Sequence, residues 1–296
     1  MPKKVTLLII DCQNDFHPGG SLAIPNADQD ANRIAALITN SLEKKNLNID
    51  RIVATLDSHH RLHIAHAGFW VSGKDGVTMP DPFTTITHQD LVNEKWKPRP
   101  DMELPENPVD VAVLGANSAI FDSKGNFDLT KYCLEYTRRL ETEGEGSIQL
   151  TIWPKHCIIG SKGHNVVDCV GEAFDEWVTK TGRSIEYVHK GQHNLTEMYS
   201  AMKAEVPVTR ETSLNRDLLE SLMKSDTIIV CGQALSHCVN HTVRDLMNNL
   251  PKENAPKFIL LEDGSLPVPG CDGMAEEFKA FFVKKGGKVL KSSQVV

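Results

Sequence analysis

The chain has 296 residues and a formal net charge of -7, and its Lys and Arg residues form no cluster. Proteins that bind nucleic acid need such clusters to contact phosphates. No apolar run approaches the length of a membrane span, about 18 residues, and the N-terminus becomes polar too early for a signal peptide. The composition therefore excludes nucleic acid and membrane as expected partners. It predicts a cytoplasmic protein whose seven cysteines are reduced thiols.

Short apolar runs rich in β-branched residues alternate with amphipathic stretches along most of the chain. This alternation predicts βαβ units, and hence an α/β fold with a doubly wound parallel sheet of about six strands and helices on both faces. The predicted strands occupy residues 5–12, 51–57, 184–190, 226–233, 257–263 and, at the edge, 288–293. The predicted helices occupy residues 27–45, 166–182, 213–225, 237–250 and 273–287.

The alternation is interrupted between about residues 67 and 149, where two stretches are rich in proline. Within this segment, residues 109–115 predict a strand and residues 129–144 predict a helix. We interpret the chain as one domain, residues 1–296, that carries an insertion at about 67–149. The insertion is expected over one edge or the top of the sheet, as a lid, an oligomer contact or both.

Polar side chains follow several predicted strands at the point where each strand ends. Asp11 follows the first strand, Asp57 and His59 the second and Lys190 the third, and a turn leads from the fourth to Cys238. Ligands of open α/β sheets bind at the carboxyl ends of the strands. An aspartate at a strand end is usually a cap or turn residue, but the convergence of these groups favours a functional site.

Cys238 begins a predicted helix, with Ser236 as a plausible N-cap. A thiol in a first helical turn feels the partial positive charge of the helix terminus, which is expected to lower its pKa. A buried, inert cysteine is equally compatible with the local pattern. The sequence at this point therefore leaves both a nucleophile and a structural thiol open.

A nucleophilic thiol needs a base and donors for an oxyanion. Asp11 could take the thiol proton in a dry crevice and later return it to a leaving amine, while Lys190 holds Asp11 ionised. The backbone amides of Ala234 and Cys238 could stabilise the oxyanion. His241 is a rival base, but a side chain of the second helical turn is expected to point away from the crevice.

With Asp11, Lys190 and Cys238 in this order, the chain resembles the nicotinamidase and isochorismatase-like cysteine hydrolases, and most of all the nicotinamidases. The resemblance implies a catalytic triad of these three residues and a cis peptide between Gln233 and Ala234. It covers residues 1 to 66 and about 150 to 296, and it leaves out the insertion. The matching segments are residues 7–22, 56–66, 153–163, 189–202, 231–246 and 261–270.

The resemblance also implies a metal site formed by Asp57, His59 and His156. An aspartate with two histidines suits a divalent ion such as zinc, and iron or manganese would be satisfied by the same donors. In nicotinamidases the metal orients the pyridine ring while the cysteine performs the covalent chemistry. The aromatic residues that match the family's substrate pocket are Phe16, Trp153 and Tyr199, with core packing as the alternative for Tyr199.

Three further histidines lie in the same stretch, 57–66. His63 matches a histidine that follows the metal pair in the family and is expected to support it. His60 and His66 are departures from the family pattern, where proline and an aromatic residue are usual. Both are expected to be solvated loop histidines without a role at the metal.

The expected reaction is hydrolysis of nicotinamide to nicotinate and ammonia through a thioester, a step of NAD salvage. Two alternatives stay open: a related hydrolase that acts on another amide, and a catalytically silent scaffold. The insertion separates the metal-binding segments, so Trp70, Phe83 or Trp96 could reach into the pocket. A small-molecule amide is the expected partner, and the sequence leaves a homo-oligomer open.

Overall fold

The computed structural model describes residues 3–43, 47–115, 118–143 and 148–295. No helix within these ranges has the length and apolar character needed to cross a membrane. The strands are β1 (Val5–Ile10), β2 (Arg51–Asp57), β3 (Trp70–Ser72), β4 (Thr85–Ile86), β5 (Trp96–Pro98), β6 (Leu150–Thr151), β7 (Glu186–Lys190), β8 (Thr227–Gly232), β9 (Phe258–Leu261) and β10 (Lys288–Leu290). The helices are α1 (Ala27–Glu43), α2 (His88–Val92), α3 (Val111–Leu114), α4 (Leu129–Thr142), α5 (Asp168–Thr181), α6 (Arg216–Leu222), α7 (Cys238–Asn249), α8 (Asp272–Lys285) and α9 (Ser292–Val295).

The main sheet has six parallel strands in the order β10, β9, β8, β1, β2, β7. Successive residues of each strand point to opposite faces of the sheet. Helices cover both of these faces. In β1, Leu7 and Ile9 pack with α1 and α5, whereas Leu8 and Ile10 pack with α6, α7 and α8. The doubly wound α/β fold predicted from the sequence is therefore confirmed, with all six predicted strands and the five helices around them.

The register of the sheet brings the ends of its central strands level. Ile10 lies opposite both Thr55 of β2 and Gly232 of β8, and Asp57 lies opposite Lys190 of β7. The chain therefore leaves β1, β2, β7 and β8 at one edge of the sheet, where the predicted polar side chains follow.

The strand predicted over residues 109–115 is wrong, because this segment contains the one-turn helix α3. Asp110 starts the turn by accepting a hydrogen bond from the Ala112 amide at 2.8 Å, as an N-cap does. Gly115 ends it with φ of 84°. The helix predicted over 129–144 is α4. Residues 44 and 45 of the predicted first helix and residue 144 lie outside the described residues.

The described residues of 67–149, the segment predicted as an insertion, pack over the carboxyl ends of the strands. Within this segment β3 pairs antiparallel with β5, and β4 pairs antiparallel with β6, which follows the segment. The Tyr132 hydroxyl of α4 donates a hydrogen bond of 2.6 Å to the Leu195 carbonyl, in the chain that follows β7. Trp70 and Tyr132 of the insertion share one apolar cluster with Phe16 and Trp153. The insertion thus covers the edge where the candidate site lies.

Candidate active site

The three residues of the predicted triad converge at this edge. Lys190 Nζ lies 2.9 Å from Asp11 Oδ2 and 3.5 Å from Cys238 Sγ. Asp11 is fully buried, and neither Lys190 nor Cys238 is more than 5% exposed. The convergence follows from the sheet order, since Asp11 follows β1, Lys190 ends β7 and Cys238 begins the helix after β8.

Charges at the centre of the site neutralise each other. Burial raises the pKa of Asp11, and Lys190 partly opposes this rise. Burial alone would lower the pKa of Lys190, but the carboxylates of Asp11 and Asp57 raise it well above its ordinary value. The ammonium also donates to Asp57 Oδ1 at 3.0 Å, and Thr55 Oγ1 donates to Asp11 Oδ1 at 2.5 Å. Lys190 therefore stays protonated between two carboxylates.

The thiol of Cys238 differs from the expectation drawn from its helix position. Burial raises the pKa of Cys238 well above its ordinary value, although Lys190 lowers it. Desolvation of the thiolate is the largest effect on this pKa, and the nearby carboxylates of Asp11 and Asp57 act in the same direction. The resting group is a thiol, and its activation requires a base such as Asp11 that takes the proton during attack.

The turn before Cys238 presents backbone amides to the site. The peptide between Gln233 and Ala234 is cis. Gln233 is anchored by its backbone amide, which donates to the Ile10 carbonyl at 2.7 Å, and by its side-chain amide, which donates to Asp30 at 2.9 Å. Within the described part of the chain, the amides of Ala234 and Cys238 donate to no backbone carbonyl. Both are free to donate to an oxyanion.

Asp57, His59 and His156 bring three donor atoms together beside Lys190. Asp57 Oδ2 lies 3.0 Å from His59 Nε2 and 3.1 Å from His156 Nε2. Two donors bound to one zinc ion at about 2.1 Å are about 3.0 to 3.4 Å apart. Burial opposes the ionisation of Asp57, but His59 and Lys190 lower its pKa well below the ordinary value. The three side chains fit a divalent metal ion.

Both of these histidines are oriented by backbone carbonyls. His59 Nδ1 lies 3.1 Å from the Gly191 carbonyl, and His156 Nδ1 lies 2.8 Å from the Pro154 carbonyl. A carbonyl only accepts, so each Nδ1 carries a proton, and the neutral form of each ring leaves the Nε2 lone pair available to a metal ion. Metal-binding histidines are usually held in this way.

Gly191 has no side chain, and Asp57 and His59 occupy the space where its Cβ would lie. Its φ is +72°, and a Cβ there would lie 2.8 Å from Asp57 Oδ1 and 3.0 Å from His59 Cε1. A side chain at this position would push the carboxylate and the imidazole out of place. Glycine is therefore required here by both backbone conformation and close packing.

His60 and His63 lie where the sequence predicts. His60 is exposed. His63 is buried, and the backbone uses both of its ring nitrogens: Nε2 donates to the Thr196 carbonyl at 3.1 Å, and Nδ1 accepts from the Ala65 amide at 3.2 Å. His63 supports the loop and has no lone pair left for a metal.

The expectation for His66 is wrong, because this side chain is fully buried beside His59 and His156. Its ring centre lies 5.1 Å from that of His59 and 5.7 Å from that of His156. The loop turns inward because the Trp153 amide donates to the Ala65 carbonyl at 2.8 Å. Burial, together with His59 and His156, lowers the pKa of His66 to about 2, so this imidazole is neutral.

An aromatic cavity lies beside Cys238. Trp153 Nε1 donates to the Tyr199 hydroxyl at 3.1 Å, and Phe83 of the insertion packs on Trp153 from outside with ring centres 6.0 Å apart. The cavity has a volume of about 20 Å³, so a ring-sized ligand requires its walls to move apart. It is lined by Phe16, Leu22, Asp57, Trp153, His156, Glu197, Tyr199, Ala234, His237, Cys238 and Val268.

Trp70 and Trp96 of the insertion do not line this cavity, contrary to the expectation that they could reach in. The Trp70 indole is buried and donates to the Ile64 carbonyl at 2.6 Å. It belongs to the apolar cluster that joins the insertion to the rest of the chain, and Trp96 packs against that cluster. Both indole rings pack in the core because their large apolar area is better buried there than at the mouth of a pocket.

The sequence analysis assigned no role to two residues that contribute to the site. The side-chain amide of Gln13 fixes Asp57 by donating to its carbonyl and accepting from its amide, both at 2.8 Å. Glu197 is buried in the cavity wall. Both lie inside matched segments, so the signal was present without an assigned role. His241, the rival base, instead pairs with Glu205 at 3.2 Å.

No family model and no curated protein sequence matches the chain, but solved structures do. The Acinetobacter baumanii nicotinamidase pyrazinamidase matches with a TM-score of 0.61 and 20% identity, over 100% of both chains. The yeast nicotinamidase Pnc1p bound to the inhibitor nicotinaldehyde matches at 0.57 and 20%, over 97% of this chain and 99% of that one. The Pyrococcus horikoshii pyrazinamidase in complex with zinc matches at 0.51 and 18%, over 97% and 99%. The chain therefore has the fold of these nicotinamidase and pyrazinamidase structures.

Proposed function

We propose that the protein is a cysteine amidohydrolase that converts nicotinamide and water to nicotinate and ammonia. The observation that carries this proposal is the buried ammonium of Lys190, which joins Asp11, Asp57 and the Cys238 thiol within 3.5 Å. An unreactive core would not gather two carboxylates, an ammonium and a thiol beside an aromatic cavity, because burying charges is costly. The shared fold with nicotinamidases supports the choice of substrate.

The triad geometry supports a two-stage reaction. Asp11 takes the Cys238 proton while Sγ attacks the carboxamide carbon, and the amides of Ala234 and Cys238 receive the oxyanion. Asp11 then gives its proton to the departing nitrogen, which leaves as ammonia. A water molecule gives a proton to Asp11 and attacks the thioester carbon; the acid is released, and Asp11 returns the proton to Cys238 Sγ. Lys190 keeps its proton throughout and holds the carboxylates in place.

Asp57, His59 and His156 would hold a divalent metal ion. When bound, the ion supplies a Lewis-acidic position at the cavity wall that a ring nitrogen of the substrate can occupy. The donor set suits zinc, iron or manganese. The three residues orient a pyridine carboxamide by fixing that position relative to Cys238.

Release of ammonia from nicotinamide by the purified protein tests the reaction. Cys238→Ala is expected to lower the rate by at least about 10³-fold, because it removes the nucleophile. Cys169→Ala is the matched control, since Cys169 is a half-buried thiol on α5. Undiminished release by Cys238→Ala would exclude the thioester route.

The alternative is that the protein hydrolyses another amide. It is favoured by Phe83, a residue of the 67–149 segment that packs on Trp153 in the cavity wall, where substrate specificity is set. Pyrazinamide and aliphatic amides should be compared with nicotinamide by kcat/KM. A higher kcat/KM for an amide without a pyridine ring would mean that this amide, and not nicotinamide, is the substrate. The reaction class would be unchanged. A silent scaffold would also fail to form a thiohemiacetal between Cys238 and nicotinaldehyde, which mass spectrometry of the undenatured protein detects.

A further inference from the structure

We propose that His66 is a fourth protein ligand of the metal ion held by Asp57, His59 and His156. The inference depends on the metal centre of the proposed function, and it does not depend on which amide is hydrolysed.

The first observation is that His66 is buried without hydrogen bonds. Among the described residues, neither of its ring nitrogens has a hydrogen-bond partner, although the side chain is fully buried. Buried polar groups nearly always have a partner, and each exception needs an explanation. His63, three residues earlier, uses both nitrogens on backbone groups. The unpaired imidazole of His66 therefore needs a partner that the protein itself does not supply.

The second observation is where the unpaired nitrogens lie. Ring nitrogens of His59, His66 and His156 all lie within 4.8 Å of one another. Donors bound at about 2.1 Å on opposite sides of one five- or six-coordinate ion are about 4.2 Å apart, so the longest of these separations would have to shorten by about half an ångström. Asp57 Oδ2 contacts the other two histidines at 3.0 and 3.1 Å. An ion bound between the three imidazoles would thus lie beside the Asp57 carboxylate.

The third observation is that the backbone fixes His66 in this position. Its amide donates to the His63 carbonyl at 2.9 Å, and its carbonyl accepts from the Phe69 amide at 3.1 Å. It also forms a parallel β-bridge with Trp153, three residues before His156. The loop that carries His66 is therefore tied to the segment that carries another ligand.

A third imidazole ligand changes which metal ions the site prefers. Nitrogen donors favour zinc, cobalt and nickel over manganese more strongly than carboxylate or water oxygens do. An ion with four protein ligands keeps a position for substrate only if it accepts five or six ligands. The proposal therefore predicts tight binding of a late first-row metal.

Metal binding by the chelator-treated protein tests this inference without any substrate. Cobalt titration followed by visible absorption, and zinc competition with a chromophoric chelator, should compare wild type with His66→Phe, which keeps an aromatic ring and removes the donors. We expect at least about 10-fold weaker binding and altered cobalt bands in His66→Phe. His60→Phe, on the exposed side of the same loop, should behave as wild type.

X-ray absorption at the zinc edge counts the imidazoles directly: three are expected in wild type and two in His66→Phe. Equal affinities and equal spectra for the two proteins would overturn the proposal. If His66→Phe fails to fold, His66→Gln keeps an oxygen donor and should bind metal with intermediate affinity, whereas unchanged affinity would again overturn it. Absence of amidase activity would contradict the proposed function and leave these binding results unaffected.

Discussion

The site has two halves that are built in different ways. Asp11, Asp57, Lys190 and Cys238 lie at the ends of adjacent parallel strands or at the helix that follows one, so backbone hydrogen bonds of the sheet set their spacing. The histidines lie in loops that meet through isolated bridges, such as the one between His59 and Ile158. The sheet half is held by continuous ladders, whereas the loop half depends on a few contacts. Asp57 belongs to both, with one oxygen toward Lys190 and the other toward the histidines.

Lys190→Met should break both halves and have the largest effect. It leaves the buried carboxylates of Asp11 and Asp57 side by side without a cation, which is expected to cost about 3 to 5 kcal/mol of unfolding free energy at pH 7. Burial raises the pKa of Asp11 even with Lys190 present. In the variant its folded pKa lies further above the unfolded value, so stability is retained below about pH 4 and falls as pH rises through the folded pKa.

Urea denaturation between pH 4 and pH 8 measures this effect. Lys180→Met is the control, because Lys180 forms an exposed pair with Glu176 on α5 and should change stability by less than about 1 kcal/mol. A Lys190→Met protein as stable as wild type at pH 7 would show that the carboxylates do not depend on this cation.

Gly191→Ala should damage the loop half and spare the sheet half. The new Cβ would approach Asp57 Oδ1 and His59 Cε1, so we expect about 10-fold weaker metal binding, together with about 1 to 2 kcal/mol of strain from the positive φ. Gly182→Ala is matched for strain: its φ is +67°, and nothing lies within 4 Å of the added Cβ. Equal metal affinities in the two variants, measured by chelator competition, would contradict the close packing at Gly191.

Tyr132→Phe should have the smallest effect, because it tests only how the insertion is attached. Removing the hydroxyl leaves the buried Leu195 carbonyl without its 2.6 Å partner and should lower the unfolding free energy by about 1 kcal/mol. Metal affinity and ammonia release should stay within twofold of wild type. Tyr187→Phe, at an exposed position of β7, should leave stability unchanged. A large loss of activity in Tyr132→Phe would mean that the insertion shapes the site through this bond.

The fold and the sheet half of the site could be predicted from local patterns. Apolar runs of six or seven residues separated by amphipathic helices specify the central parallel strands, and polar residues at the strand ends then share one edge. The one-turn helix α3 was missed because its apolar residues also suit a strand, and the deciding contact is the Asp110 cap. The pKa of Cys238 was misjudged because helix position is visible in a sequence and burial is not.

The sequence by itself determined the parallel sheet, the order of its strand-end residues and the likeness of six segments to a known family. Tertiary structure alone decided which histidines face the proposed metal site. His63 and His66 are three residues apart in the same loop, yet backbone groups bind both nitrogens of the first and neither of the second. The reason is physical: a histidine's role depends on the direction of its ring and on the partners left to it, and both are set by the bridge between residues distant in the chain, His66 and Trp153.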